Sequence, residues 1–353
     1  MSSLTKLRVT FLGPLASFSH QAALELFSTS ATLLPKPNFA EAFAAIQSNE
    51  ADYAVIPFEN VTNGSIVQTL DLLADRHARY QDIAVCGEHY LTVHHCLLVR
   101  KGEADAPDPA TTYKRITKLY THPQAWGQCE TFLSAHFKGV ERQDAPSTSK
   151  AASIVATNPN AGNGNGNGNS GGIAAAIASK FAADHVGGLD VLAANIEDRK
   201  DNTTRFLVLR NEKSGNPEIE RPVAAAPSSS SSSSTTTTTT TPTTNTPPAT
   251  TIPPTTSPSH PSKRKTLISF MINHTTPGAL VDALEIFKKH GLNLTSINSR
   301  PGQVRAWQYV FFVECARIPG VHGDGTVERV MADLRAATVE CRDLGSWRDQ
   351  LGG

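Results

Sequence analysis

The chain has 353 residues, enough for two or three domains with cores of their own. Its 32 basic and 32 acidic side chains cancel, which argues against a protein held to nucleic acid or an anionic membrane by bulk charge. Five cysteines with no CxxC pair and no His/Cys cluster at metal-ligand spacing read as reduced thiols, and no apolar run approaches the roughly 20 residues that cross a bilayer. With no secretory apolar core near Met1, the expectation is a soluble cytoplasmic protein.

In chain order, Leu7–Leu12 reads as a strand, followed by helices over 19–27 and 39–49 and a short buried strand over 53–57. A helix over 65–73 comes next, then strands over 89–100 and 116–120 and helices over 123–137 and 148–156. The stretch 173–184 reads as a further helix and 205–210 as a strand. Such alternation predicts an α/β architecture with mostly parallel sheets, forming one large domain or two lobes around a cleft. Residues 158–172 alternate Asn and Gly and read as a flexible insertion in a surface loop. From about 211 to 262 Ser, Thr, Pro and Asn dominate, with unbroken Ser at 228–234 and Thr at 235–241; too little apolar surface is present to offset the entropy of ordering. Beyond it, strand 265–272, helix 278–290, strands 294–299 and 307–313, helix 327–337 and a last strand near 338–341 give the βαββαβ order of a ferredoxin-like domain. The expected division is an α/β region over 6–211, a disordered linker over 212–262 and a small domain over 263–350.

Several polar clusters fall where strands end and helices begin. Gly13-Pro14-Leu15-Ala16-Ser17-Phe18-Ser19-His20 leaves the first strand, where Ser17 or Ser19 can cap a helix whose free N–H groups suit an anion. Helix capping alone also explains both serines. Glu59-Asn60-Val61-Thr62-Asn63-Gly64-Ser65 leaves a buried strand; turn chemistry accounts for Asn63, Gly64 and Ser65 but less well for Glu59 and Asn60. Thr121-His122-Pro123-Gln124 repeats the pattern, and His122, with no carboxylate partner nearby in sequence, reads as structural before catalytic. His94-His95 lies in a predicted strand, where neighbouring side chains oppose, so the pair reads as ordinary packing and surface. Asn195-Ile196-Glu197-Asp198 and Asn202-Thr203-Thr204-Arg205-Phe206 bracket a polar loop. Arg205 could clasp a carboxylate, and Thr204 could donate to a leaving oxygen if its surroundings stabilise the developing charge. No dinucleotide, Walker, nucleophile-elbow or metal motif is present, so an enzyme of this sequence is expected to need no cofactor and no metal.

In order and spacing these segments resemble the prephenate dehydratase family. The family's Gly-Pro-x-Gly-Thr-Phe-Ser appears as Gly13 to Ser19, its Pro-x-Glu-Asn-Ser-x-x-Gly-Ser/Thr as Pro57 to Ser65, and its His-Pro-Gln-Ala-x-x-Gln-Cys as His122 to Cys129. Asn-Ile-x-Asp appears as Asn195 to Asp198 and Asn-x-Thr-Arg-Phe as Asn202 to Phe206. Pro277-Gly278-Ala279-Leu280 and Ser299-Arg300-Pro301 resemble an ACT regulatory domain. The resemblance implies a two-lobed, periplasmic-binding-protein-like catalytic region that turns prephenate into phenylpyruvate, and an ACT domain that binds phenylalanine as feedback inhibitor in a homodimer or homotetramer. It implies Thr204, Arg205 and Phe206 as catalytic residues. Ser17, Phe18, Ser19, Glu59, Asn60, Ser65, Gln124, Asn195 and Asn202 are the expected substrate contacts, and Gly278, Ala279, Leu280, Asn298, Ser299, Arg300 and Pro301 the expected effector contacts. Three positions depart from the pattern: Ala16-Ser17 for Gly-Thr, Val61 for Ser, and Asn298 for Glu, the last placing the strength of phenylalanine inhibition in question. Two other readings stay open, an arogenate dehydratase and a non-catalytic amino-acid sensor.

Overall fold

The computed structural model describes residues 6–104, 108–158, 172–217, 263–303, 305–317, 323 and 325–351. A first lobe begins with β1 (Leu7–Leu12), α1 (Phe18–Phe27), β2 (Ala31–Lys36), α2 (Phe39–Gln47), β3 (Tyr53–Asn60), β4 (Gly64–Ser65), α3 (Val67–Ala74) and β5 (Ile83–Thr92). The chain then crosses into a second lobe of β6 (Cys96–Arg100), α4 (Pro109–Tyr113), β7 (Ile116–Thr121), α5 (Pro123–Gln128), α6 (Glu130–His136), β8 (Glu141–Asp144), α7 (Thr148–Thr157), β9 (Ile173–Ala178), α8 (Lys180–Val186) and β10 (Leu189–Ala193). It returns as β11 (Thr203–Asn211), which pairs antiparallel with both β3 and β5 inside the first sheet. The sheets run β2-β1-β3-β11-β5 and β10-β6-β9-β7-β8. Two crossings between two sheets produce a two-lobed, periplasmic-binding-protein-like body with a cleft between the lobes.

A third unit follows: β12 (Arg264–Met271), α9 (Ala279–Lys289), β13 (Asn293–Pro301), β14 (Tyr309–Arg317), α10 (Thr326–Ala337) and β15 (Glu340–Arg348). Its antiparallel sheet runs β13-β14-β12-β15, the ferredoxin-like arrangement expected from βαββαβ. Val313, Cys315, Ile268 and Phe270 bury one sheet face beneath Ala283 and Phe287 of α9 and Val330 and Leu334 of α10. The other face is not left to solvent. Leu267, Phe312, Leu344 and Trp347 join one continuous core with Ile56, Phe58, Val85 and Leu207 of the first lobe. The C-terminal sheet therefore packs directly against the first lobe, opposite α1, whose Ala22, Ala23 and Leu26 cover the far face with Phe11 and Phe206.

Several expectations need correction. The stretch 173–184 is not one helix: Ile173–Ala178 is a fully buried strand, and only Lys180–Val186 is helical, capped by the Ser179 hydroxyl accepting from Ala182 N at 3.0 Å. Alanine favours helices in isolation. Here its small side chains let Ala151 and Ala152 of α7 pack against Ala174 and Ala176 in the sheet. The sheets are mixed, not mostly parallel, because β11 comes back through the first lobe against its neighbours, while β6 opposes β9 and β10. The single strand expected over 89–100 is two, separated by the crossing at 93–95, and the helix over 123–137 breaks at Cys129. Residues 212–217 continue the first lobe and are not linker, with Tyr53 OH donating to Pro217 O at 2.9 Å. Most of the Asn/Gly tract, at 159–171, and the Ser/Thr/Pro tract, at 218–262, lie outside the described residues. Among the described residues no helix is long and apolar enough to cross a membrane.

Candidate active site

The cleft between the lobes has a volume of about 580 Å³. The first lobe contributes Ser17, Phe18 and Ser19 from the start of α1, the turn from Asn60 to Gln68, and Thr204 and Phe206 of β11. The second lobe contributes His122, Gln124, Ala125 and Gln128 of α5 and Ser147 and Thr148 at the start of α7; Val93 and His95 form its floor at the crossing. Helices α1, α3 and α7 thus all begin at its wall, each bringing there first-turn N–H groups that have no partner within the helix and the positive end of its dipole. No Lys, Arg, Asp or Glu is among the described residues lining it.

Asn60 organises the catalytic wall. Register places it opposite Thr204, so both project to the cleft side of the sheet. Its Nδ2 donates to Thr204 Oγ1 at 3.0 Å, Asn202 Oδ1 at 2.9 Å and Thr203 O at 3.2 Å. Its Oδ1 accepts from Thr62 N and Asn63 N, each at 3.0 Å, and shapes the turn that ends at Gly64, where φ is 76°. Because Thr204 Oγ accepts from Asn60, its own proton is left to point elsewhere. That is the geometry a hydrogen-bond donor to substrate requires.

The expected residues do not all converge. Ser17, Phe18, Ser19, Asn60, Ser65, Gln124, Thr204 and Phe206 line the cleft. Ser17 also caps α1, accepting from His20 N at 3.2 Å. Asn202 is buried behind Asn60 as its hydrogen-bond partner. Asn195 does not reach the cleft; it is exposed, in the left-handed region with φ 55°. Its neighbours serve the crossing instead. Glu197 accepts from His95 N and pairs with His94 Nδ1, each at 2.8 Å, and Asp198 N donates to Gln128 O. Burial pushes the Glu197 carboxyl up, yet His94 and the His95 N–H outweigh it and hold it below the usual range.

Arg205, expected to clasp a substrate carboxylate, is turned away from the cleft. Strand alternation sends it to the opposite face from Thr204 and Phe206, and register puts Glu59 on that face beside it. There the residue is 6% exposed, and its guanidinium donates to Glu88 Oε2 through Nε (2.9 Å) and Nη2 (2.6 Å) and reaches Glu314 Oε2 of β14 at 2.5 Å. Lys265 Nζ meets Glu88 Oε1 at 3.1 Å and Asp349 Oδ1 at 3.0 Å in the same cluster. Burial disfavours the Arg205 charge, but Glu314 and Glu88 overcome it and keep the group firmly protonated. Burial pushes the adjacent Tyr90 hydroxyl up to about 12.

Sequence reasoning missed His95. The pair His94-His95 lies at the crossing outside any strand, so the alternation argument does not apply. His95 is buried, its Nε2 sits 2.7 Å from Gln128 Oε1, and burial lowers its pKa. His122 caps α5, its Nδ1 accepting from Gln124 N at 3.3 Å, and burial lowers it too. No signal in one sequence marks a histidine at an interlobe crossing, because the crossing exists only once both sheets form.

The expected effector residues lie in the C-terminal unit. Gly278, with φ 84°, precedes Ala279 and Leu280 at the start of α9, whereas Asn298, Ser299, Arg300 and Pro301 belong to β13. The β13 segment is strapped along α3. Ser65 Oγ donates to Asn298 Oδ1 at 2.8 Å, Arg300 Nε to Asp71 Oδ1 at 2.8 Å, and Arg76 Nε to Pro301 O at 2.7 Å. The N-terminal end of α3 meanwhile lines the cleft.

A two-lobed α/β body with a cleft free of formal charge among its described residues, backed by a ferredoxin-like unit, defines a protein of the bilobal class. Residues 9–214 match the family model for prephenate dehydratase. A bifunctional chorismate mutase/prephenate dehydratase of Aquifex aeolicus is 31% identical over 98% of this chain and 75% of its own length. A probable prephenate dehydratase of Saccharomyces cerevisiae is also 31% identical, over 87% of this chain and 86% of its own. The structure of prephenate dehydratase from Arthrobacter aurescens in complex with L-Phe shares the fold, with a TM-score of 0.71 at 24% identity over 98% of this chain and 91% of that one. The chain belongs to the prephenate dehydratase family.

Proposed function

We propose that this protein is a prephenate dehydratase, a carbon–oxygen lyase that converts prephenate to phenylpyruvate in phenylalanine biosynthesis. The observation that carries the reading is the Thr204 hydroxyl, oriented by Asn60 at the wall of a cleft that holds no charged side chain among its described residues. Prephenate carries two carboxylates. A cleft without acidic groups avoids repelling them, and the starts of α1, α3 and α7 supply N–H groups and positive dipole ends to bind them. As the ring carboxylate leaves as carbon dioxide, its bonding pair enters the ring and the opposite C–O bond breaks, making the ring aromatic. The departing oxygen takes the hydrogen bond or proton of Thr204 Oγ and leaves as water, with a solvent proton restoring the hydroxyl. Asn60 Nδ2, already donating to that oxygen, stabilises the charge that develops on it. Arg205 acts from behind the strand. The assignment of Ser17, Ser19, Ser65 and Gln124 as substrate contacts is part of the proposal, supported by their place on the cleft wall.

The domain reading belongs to the same proposal: a catalytic region over 6–211 extended by 212–217, and a regulatory ACT domain over 263–350. Phenylalanine is its effector, binding near Gly278–Leu280 and Asn298–Pro301 in a cytoplasmic homodimer or homotetramer. The strapping of β13 to α3 supports this, since it joins those residues to the cleft wall. An ultraviolet assay for the aromatic product, run with prephenate and with arogenate, each with and without phenylalanine, tests the function. Turnover of prephenate, slowed by phenylalanine, is expected; no product from either substrate refutes the enzyme reading in favour of an amino-acid sensor. Titration calorimetry that detects no binding at millimolar phenylalanine would refute the effector, and light scattering on the eluted protein reports the oligomer.

A further inference from the structure

We infer that Glu314, in the C-terminal unit, is a positioning residue for the dehydration: through Arg205 it fixes the strand that carries Thr204. The inference rests on the dehydratase reading. Its starting point is that one tripeptide serves two sites. Thr204 and Phe206 face the cleft while Arg205, between them, faces the C-terminal sheet, so the backbone that places the hydroxyl is the backbone that the guanidinium anchors.

On its β5 side β11 keeps regular register from Thr203 to Val208, but on its β3 side it does not. Pairing between β11 and β3 slips one residue here, Arg205 opposing Glu59 and Phe206 opposing Pro57, so the regular register is interrupted between Arg205 and Phe206. Such irregularities re-aim side chains. Support comes from the guanidinium, which lies 5.5 Å from the Phe58 ring and 5.9 Å from that of Trp347. Its Nη2 is shared between Glu88 of the first lobe and Glu314 of β14. Glu314 is itself aimed, because its other oxygen accepts from Thr295 Oγ1 at 2.7 Å. Without the Glu314 charge, Glu88 is the remaining carboxylate on Arg205, and it is shared with Lys265 at 3.1 Å. The guanidinium then pivots toward Glu88, and the peptide bearing Thr204 moves with it.

A misplacement of about 1 Å at a reacting group can cost roughly 100-fold in rate. Glu314→Gln in the full chain, which keeps the shape and removes the charge, is therefore expected to lower kcat about tenfold or more. KM for prephenate should stay within about twofold, because the substrate-binding helix ends are untouched. The same change in a Thr204→Val background is expected to add nothing, since the group being positioned is gone. A merely structural role would lower residual turnover equally in both backgrounds. That equality, or an unchanged kcat in Glu314→Gln, overturns the inference. If Glu314→Gln does not fold, Thr295→Val removes the hydroxyl that aims Glu314 and leaves the ion pair; a smaller loss of kcat is expected, absent again with Thr204→Val, and no loss overturns the inference. Wild-type turnover reports separately on the dehydratase reading, and the variant-to-wild-type ratio on Glu314.

Discussion

Asn60→Asp isolates the direction of one proton. The substitution replaces an NH₂ with an oxygen of nearly the same size, so the contacts that shape the turn, Thr62 N and Asn63 N to Oδ1 at 3.0 Å, survive. What changes is the other side of the group. Three contacts donated by Nδ2, to Asn202, Thr203 and Thr204, become oxygen facing oxygen. Asn202 can answer by rotating its amide, because its Nδ2 is buried with no partner among the described residues. The Thr203 carbonyl cannot rotate, but it keeps the Val61 N–H at 2.9 Å, so the stability cost is that of one lost hydrogen bond, about 1 kcal/mol. Thr204 also answers, by turning its hydroxyl proton onto the new carboxylate and away from substrate. Losing one hydrogen bond to a developing charge costs about 2.7–4 kcal/mol, so kcat should fall about 100- to 1000-fold with little change in KM. Once protonated, the introduced carboxyl can donate again, so kcat of the variant should climb as pH falls through that group's pKa, a rise the wild type lacks. Steady-state assays across pH read both effects. Wild-type kcat in the variant, or a loss confined to KM, would falsify the idea that Asn60 aims the Thr204 proton.

Gly345→Ala should undock the C-terminal sheet: φ is 117° there and an added Cβ would lie 2.2 Å from Val85 O, so urea unfolding should show a loss of about 3 kcal/mol or more. Asp71→Asn breaks the Arg300 strap between β13 and α3, and phenylalanine should then still bind by calorimetry while inhibiting turnover less; undiminished inhibition would count against that route. Burial raises the Asp71 pKa, but Arg300 and Arg76 outweigh it and the net shift is downward. Its stabilising contribution is therefore full above the unfolded value of about 3.9 and lost as pH falls through the lower folded value. The difference in Tm between wild type and Asp71→Asn should accordingly be full above about pH 4 and close as pH falls further, through the lowered Asp71 value, and a gap that widens instead would contradict the assignment.

The second lobe shows where local reading stops. Ile173 to Ala178 carries the composition of a helix and forms a strand, because burial between β6 and β7 rewards small side chains that α7 can approach. His95 is unreadable for a related reason, since its position depends on where one sheet ends and the next begins. The cleft's first wall is far more legible. Ser17, Asn60, Ser65 and Thr204 each sit at a strand end or helix start that turn and capping chemistry marks locally, and all line the cleft.

Asn202 to Phe206 draws the line most clearly. Residue order alone sets a hydroxyl and a guanidinium side by side at a strand's start, within a family order of motifs that names the chemistry. That the two part company is a tertiary outcome. A strand sends neighbours to opposite faces, and which face becomes cleft and which becomes interface depends on where the second lobe and the C-terminal sheet dock. Thr204 is left to the cleft, while Arg205 goes to Glu88 and Glu314, whose partnership spans more than a hundred residues of chain.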